Sequence, residues 1–153
     1  MSNVRPTDGP RIGAMLRVVS NWVRDQVYDG VVADGFADIN PAHLAMFRYP
    51  GLDGLRQSQL AGQLQITKQA VNMLAGHLEA HGYITRNADP DDGRARVIRL
   101  TPRGRAVQSS VHEHARVAEL RVAAILGERG FTHLRDELER LFVEVMGSEP
   151  ATQ

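Results

Sequence analysis

Apolar residues recur at steps of three and four along most of the chain, a pattern typical of amphipathic α-helices. The apolar stripes cover residues 12–27, 41–47, 60–64, 71–78, 107–125 and 134–145. Short polar or glycine-containing breaks separate them, including one at residues 127–130. The sequence therefore predicts a mainly α-helical protein.

Residues suited to helix ends bound several of these stripes. Asn40, Thr67 and Thr101 are polar N-cap types, and two of them precede a proline that suits the first helical turn. Gly82 stands where a glycine commonly follows the last turn of a helix. The pair Pro50-Gly51 is expected to end the second helix.

The middle of the chain combines two closely spaced helices with an alternating segment. Only a tight junction at residues 65–66 separates the third stripe from the fourth. Residues 83–86 and 96–100 favour antiparallel strands, and residues 89–93 between them are rich in turn formers. A helix-turn-helix followed at once by a hairpin is a winged helix-turn-helix, which binds double-stranded DNA. The expected fold class is therefore mainly α with a small β-hairpin.

The long stripes at the two ends carry more apolar surface than a small winged domain buries. We expect residues 1–39 and 103–153 to form a helical dimerisation region, with these helices packed against a second copy of the chain. Residues 40–102 are then the DNA-binding domain. The alternative is that the terminal helices fold back on their own core.

Composition narrows the class of protein further. The 153 residues include 18 basic and 18 acidic side chains and no cysteine, which excludes disulfides, thiolate catalysis and cysteine zinc sites. No apolar run approaches the roughly 18–20 residues that span a bilayer. The N-terminus also lacks the apolar core of a secretory signal. We therefore expect a cytoplasmic protein without a membrane partner.

Although the net charge of the whole chain is zero, one segment is basic: residues 86–105 contain six arginines and three aspartates. Arg94 lies in the turn, from which an arginine reaches a narrow minor groove. Arg86 and Arg96 lie on the two strands and are expected to contact phosphates or to pair with nearby acids. For Arg96 and Arg99, a solvated strand face is the competing interpretation.

The start of the second motif helix carries the candidate base-reading residues. Lys68, Gln69 and Asn72 lie on the face opposite the apolar stripe at 71–78. Glutamine and asparagine pair with adenine, and lysine bonds to guanine or to a phosphate. Thr67 is expected to cap this helix and to reach a phosphate. The alternative is that all four are ordinary solvated polar residues.

Two segments carry a likeness to a known family. They are LQITKQAVNMLAGHLEAHGYI at 64–84 and DPDDGRARVIRLTPRGRA at 89–106, and together they resemble the MarR family of bacterial regulators. The likeness covers residues 40–107. The positions that fall in register with the family's wing are Asp89-Pro90, Asp92, Arg94, Leu100-Thr101 and Gly104.

The resemblance implies a homodimeric transcription regulator, a repressor rather than an activator, on a pseudo-palindromic operator. It also implies that Asp92 orients the guanidinium of Arg94. Two positions depart from the family's pattern. Gly93 replaces a wing arginine, which leaves Arg94 as the principal arginine at the tip, and Arg56 occupies a helix cap where serine or threonine is commoner.

Many members of the family bind a small organic molecule that weakens DNA binding. By that resemblance, a ligand pocket would be lined by Trp22, His43, Met46 and Phe47. Ordinary core packing of those side chains is the competing interpretation.

Two histidine pairs invite a metal-site interpretation that their spacing does not support. His77 and His81 share a helix face, but Glu79 is one residue too late for a zinc-protease helix. His112 and His114 point to different faces. We expect solvated histidines, no metal, no cofactor and, with no catalytic motif present, no enzyme activity. The competing class of protein is a metal- or ligand-binding sensor that acts through protein contacts without DNA.

Overall fold

The computed structural model describes residues 9–48 and 52–147. Its elements in chain order are α1 (Ile12–Ala33), α2 (Pro41–Phe47), α3 (Gln57–Leu64), α4 (Lys68–Ala80), β1 (Ile84–Ala88), β2 (Arg96–Leu100) and α5 (Pro102–Gly147). Gly127 interrupts α5 with φ 72° and ψ 161°, so the predicted break between the last two stripes is confirmed. The helix stop predicted at Pro50-Gly51 lies outside the described residues.

The predicted N-caps hold the helix starts in place. The Asn40 side chain accepts hydrogen bonds from the N–H groups of Ala42 and His43, and His43 Nδ1 accepts the Asn40 N–H in return. Thr67 Oγ1 accepts the Ala70 N–H at 3.1 Å. These bonds satisfy backbone donors that a helix start leaves unpaired.

The hairpin is antiparallel, with Ile84 opposite Leu100 at one end and Ala88 opposite Arg96 at the other. The first strand was predicted at residues 83–86, but it begins one residue later and runs two residues further. The cause is local, because the Tyr83 N–H bonds to the Leu78 carbonyl at 2.8 Å and closes α4 instead of joining the strand ladder.

One apolar core unites the elements of the first compact unit, residues 1–115. It draws on α1 through α4, the hairpin and the first turns of α5, and its fully buried members include Val31, Leu44, Phe47, Leu60, Leu78, Ile98 and Val107. Val27 and Val31 show that the second half of α1 packs into the same core as the winged domain. The boundary at residue 39 stays a prediction.

Large apolar side chains remain exposed in two places. In the first half of α1 they include Ile12 (68% exposed) and Val18, and in the second compact unit, residues 116–153, they include Ile125 (73%) and Phe142. Within a single chain these stripes are therefore not buried. No helix among the described residues is long and apolar enough to cross a membrane.

Candidate nucleic-acid interface

Helix α4 presents a polar face at the start of the helix, as the sequence predicts. Thr67, Lys68, Gln69 and Asn72 are exposed. The opposite face buries Val71, Ala75 and Leu78 completely. The turn that precedes α4 is closed by Gln65 in the left-handed conformation (φ 53°). This arrangement leaves the N-terminal turns of α4 free to enter a groove.

The sequence interpretation missed Met73, a large apolar side chain that is 70% exposed on this face. Met73 lies with Thr67, Gln69, Ala70 and Asn72 around one shallow concavity. Because Met73 falls off the stripe of Val71, Leu74 and Leu78, its exposure follows from the same helical periodicity. Met73 therefore adds an exposed apolar group to a face that is otherwise polar.

The wing is tied to the helix-turn-helix by an ion pair. Asp89 in the turn is only 6% exposed, and its Oδ2 lies 2.5 Å from Nε of Arg56, the residue at the start of α3. The Asp91 N–H and the Arg56 side chain both donate to the Asp89 carboxylate and lower its pKa. Arg56 departs from the family's pattern at a helix cap, and here it joins α3 to the wing.

Asp92 contacts the main chain of the wing. Its Oδ1 accepts the backbone N–H of Arg94 at 3.1 Å. This bond shapes the turn on which Arg94 stands, and the orientation of the Arg94 guanidinium by Asp92 stays a prediction. The Arg94 side chain itself is exposed.

The six arginines of the basic segment divide into two groups. Arg86 pairs with Glu79, Arg103 with Asp38 at 3.0 Å and Arg105 with Asp53 at 3.4 Å. The pairing with acids considered for Arg86 is therefore observed. The other group is Arg94, Arg96 and Arg99, which are exposed and form no ion pair with another described residue. These three supply the positive charge that is available to a phosphate backbone.

The histidine rings of α2 and α4 form a stack. The centroid of the His77 ring lies 4.3 Å from the ring centroid of His43 and 4.0 Å from that of His81. The Nε2 atom of His77 is 2.9 Å from the backbone carbonyl oxygen of Asp38. Burial lowers the pKa of His43 to about 4, assisted by His77 and His81 and opposed by Asp38. The expectation of a solvated side chain is wrong for His77, which is half-buried and stacked.

His114 is the second histidine that does not match the expectation of solvation. Its Nε2 lies 3.0 Å from Asp34 Oδ2, and the Ser110 hydroxyl donates to the same oxygen at 2.6 Å. Within the described ranges, no cluster of three or more histidine and acidic side chains is arranged to hold a metal ion.

The four residues predicted to line a ligand pocket do not share one environment. His43, Met46 and Phe47 are buried, and the last two belong to the main core. Trp22 is 39% exposed on α1. A ligand that reached the first three would have to displace core packing, so the pocket stays a prediction.

Comparison with known proteins agrees with this architecture. A model of the MarR family matches residues 37–95. The HTH-type transcriptional repressor Rv2887 of Mycobacterium tuberculosis is 34% identical over 88 residues, which make up 58% of this chain. The match spans 63% of that repressor, so the chain covers less than two thirds of its relative's length.

Solved structures extend the likeness over most of the chain. A crystal structure of MarR aligns with a TM-score of 0.77 at 19% identity, over 93% of this chain and 95% of that one, and so shares its fold. Structures of Rv2887 with salicylic acid and with DNA align at 28% and 26% identity, both with a TM-score of 0.67. They cover 88% and 87% of this chain and 98% of each of theirs.

Fold and site together define a winged helix-turn-helix protein. Residues 37–95 of the chain match the MarR family, and the chain shares the fold of solved MarR structures.

Proposed function

We propose that this protein is a sequence-specific, double-stranded-DNA-binding transcription regulator that acts as a repressor. The observation that carries the proposal is the polar face of α4 beside a wing whose arginines at 94, 96 and 99 are exposed. The relative Rv2887 is a transcriptional repressor whose structure has been solved with DNA, which supports the same role here.

Different exposed residues are assigned to base contacts, phosphate contacts and the minor groove. Lys68, Gln69 and Asn72 at the start of α4 read base edges in the major groove, as recognition helices do. Thr67 and Arg96 hold phosphates, and Arg94 at the tip of the wing enters the minor groove. Arg86 acts on DNA through the side chains it binds, because Glu79 and Asn72 engage all three of its guanidinium nitrogens and hold it against α4.

We propose a homodimer built from the terminal helices. The apolar side chains of the first half of α1 and of the second compact unit are exposed in the single chain, and a second copy would remove them from water. A two-fold dimer presents two recognition helices to half-sites about one helical turn apart. The operator is therefore pseudo-palindromic.

A small organic effector that releases the operator completes the proposal. Rv2887 has been solved with salicylic acid, which supports an effector of this size. A ligand shifts the protein away from DNA only if it binds the released state more tightly than the DNA-bound state. We place the protein in the cytoplasm, where the operator is, and assign it no catalytic activity.

A titration of random-sequence duplex with the full-length protein tests the function. We expect binding at low salt that weakens as salt rises, with a log–log slope of about −0.9 for each phosphate neutralised. A selected operator should then bind at least roughly a thousandfold more tightly than random duplex. No duplex binding at low salt contradicts the proposal and favours a sensor that acts through protein contacts.

Replacing Arg94 by alanine is expected to weaken binding about tenfold on every duplex, because one charge-assisted contact is lost. The measurement is a shift assay on the selected operator and on random duplex. The matched control is Arg11→Ala, which removes an exposed arginine at the start of α1. Wild-type affinity in the Arg94→Ala protein would remove the wing tip from the mechanism.

Phe142→Glu is expected to dissociate the dimer at micromolar concentration, because it places a charge in an apolar face that is 59% exposed in the single chain. Light scattering after size exclusion measures the mass. Thr132→Glu on the same helix is the control for an added charge, and we expect it to remain dimeric. A Phe142→Glu protein that keeps twice the chain mass would move the interface elsewhere.

A further inference from the structure

Arg86 on β1 is held by two residues of the recognition helix. Its Nε and one terminal nitrogen donate to Glu79 Oε2 at 2.9 and 2.6 Å, and its backbone N–H donates to Glu79 Oε1 at 3.2 Å. The other terminal nitrogen donates to Asn72 Oδ1 at 2.9 Å. The Arg86 side chain is 23% exposed, less than that of its partner Glu79 at 38%. A residue of strand β1 thus holds the Asn72 side chain of α4 in one orientation.

The chemistry of guanidinium determines which end of the Asn72 amide faces Arg86. Arginine carries donors only, so it binds the carbonyl oxygen of an amide and never the NH₂ group. Glu79 keeps the guanidinium in place, and the hydrogen bonds from Arg86 lower the pKa of Glu79. Among the described residues, no hydrogen-bond partner of Asn72 Nδ2 is found. The NH₂ group therefore remains available to a ligand.

Asn72 stands where a base would meet it. It is exposed, and it lines both the concavity of Gln69 and Met73 and a neighbouring one formed with Gln57, Glu79, Arg86 and Arg96. An unrestrained asparagine pairs with adenine, which offers an acceptor and a donor in the major groove. Because Arg86 holds the oxygen end of the Asn72 amide, the NH₂ end with its two donors is the end left for a base, and guanine presents two acceptors there, O6 and N7.

We propose that Arg86 is a positioning residue that makes Asn72 select guanine. The inference rests on the proposed function, since it specifies how the same helix reads its operator. Arg86 itself does not bind a phosphate, and its contribution to DNA binding passes through the Asn72 amide. Its loss therefore changes the preferred base while leaving the count of phosphate contacts unchanged.

The test is a selection of half-sites by three full-length proteins: wild type, Asn72→Ala and the double variant Arg86→Met/Glu79→Gln. The double variant removes one charge of each sign and keeps the net charge. We expect the wild type to select guanine at one position and Asn72→Ala to lose that preference about tenfold. The double variant should lose the preference for guanine at the same position of the half-site and should select adenine there instead.

The salt dependence separates positioning from phosphate contact. We expect the double variant to keep the wild-type log–log slope, whereas a lost phosphate contact would change it by about 0.9. A changed slope with the guanine preference intact overturns the inference. Adenine at that position in the wild type also overturns it, and leaves the proposed function standing. A wild type that binds no duplex contradicts the proposed function itself.

Arg86→Lys keeps the inference falsifiable if the double variant fails to fold. Lysine retains the charge but lacks the planar fork that binds Glu79 and Asn72 together. We expect a weakened guanine preference and an unchanged slope, with folding checked by circular dichroism. Full guanine preference in Arg86→Lys means that a point charge suffices, and it overturns the positioning role assigned to the fork.

Discussion

Gly104→Ala is expected to destabilise the protein by about 3 kcal/mol, measured as the free energy of unfolding in urea. Gly104 is buried in the first turn of α5, and a Cβ there would overlap the main-chain carbonyl oxygen of Tyr83 and crowd the Leu100 side chain. That carbonyl already accepts the Thr101 N–H, so it has little freedom to retreat. The glycine is required because helix and hairpin approach each other closely here.

The chain provides a matched control for this substitution. Gly76 lies inside α4, and a Cβ there meets no atom within 4 Å. Gly76→Ala should therefore stabilise the protein by about 0.5–1 kcal/mol, the usual gain for alanine over glycine within a helix. If both variants changed stability alike, close packing at Gly104 would not be the cause.

Acidification from pH 7 to pH 5 is expected to cost about 1–2 kcal/mol of stability through His43. Burial lowers the pKa of His43 from 6.5 to about 4, so the folded protein holds this ring neutral where an unfolded chain would protonate it. This contribution is complete above pH 6.5 and is lost as the pH falls from 6.5 towards 4. The electrostatic effect of His77 and His81 on the pKa of His43 acts in the same direction as burial, and that of Asp38 opposes it.

Urea midpoints at pH 7, 6 and 5 measure this effect. His43→Gln removes the titrating ring, and a glutamine at this position can still accept the Asn40 N–H. We expect the variant to show a flatter dependence on pH, whatever its stability at pH 7. His112→Gln, at an exposed position of α5, should keep the wild-type dependence. If the urea midpoint changed equally with pH in the wild type and in His43→Gln, another group would be responsible for the loss of stability.

Features encoded by neighbouring residues were predictable from the sequence. The caps at Asn40 and Thr67 use side chains that bond to backbone two or three residues away. The break at Gly127 and the polar face of α4 likewise follow from local periodicity and residue type. No folded core was needed to infer any of these features.

Contacts between residues that are far apart in the sequence could not be predicted from local patterns. Arg56 and Asp89 are separated by 33 residues, and their ion pair exists only because the wing folds against α3. The pairing of Arg86 with Asn72 and the stack of His43 on His77 depend in the same way on how α4 packs. The charges were visible in the sequence, but their partners are determined by the tertiary fold.

Under the proposed function, the Arg56–Asp89 pair has a consequence for the thermodynamics of docking on DNA. A wing that swung freely would lose motional freedom on entering the minor groove, and that entropy would be subtracted from the affinity. Here the turn is already held by a carboxylate that is almost fully out of water and bound on both oxygens. Most of the ordering of the wing is thus completed during folding, before any operator is met.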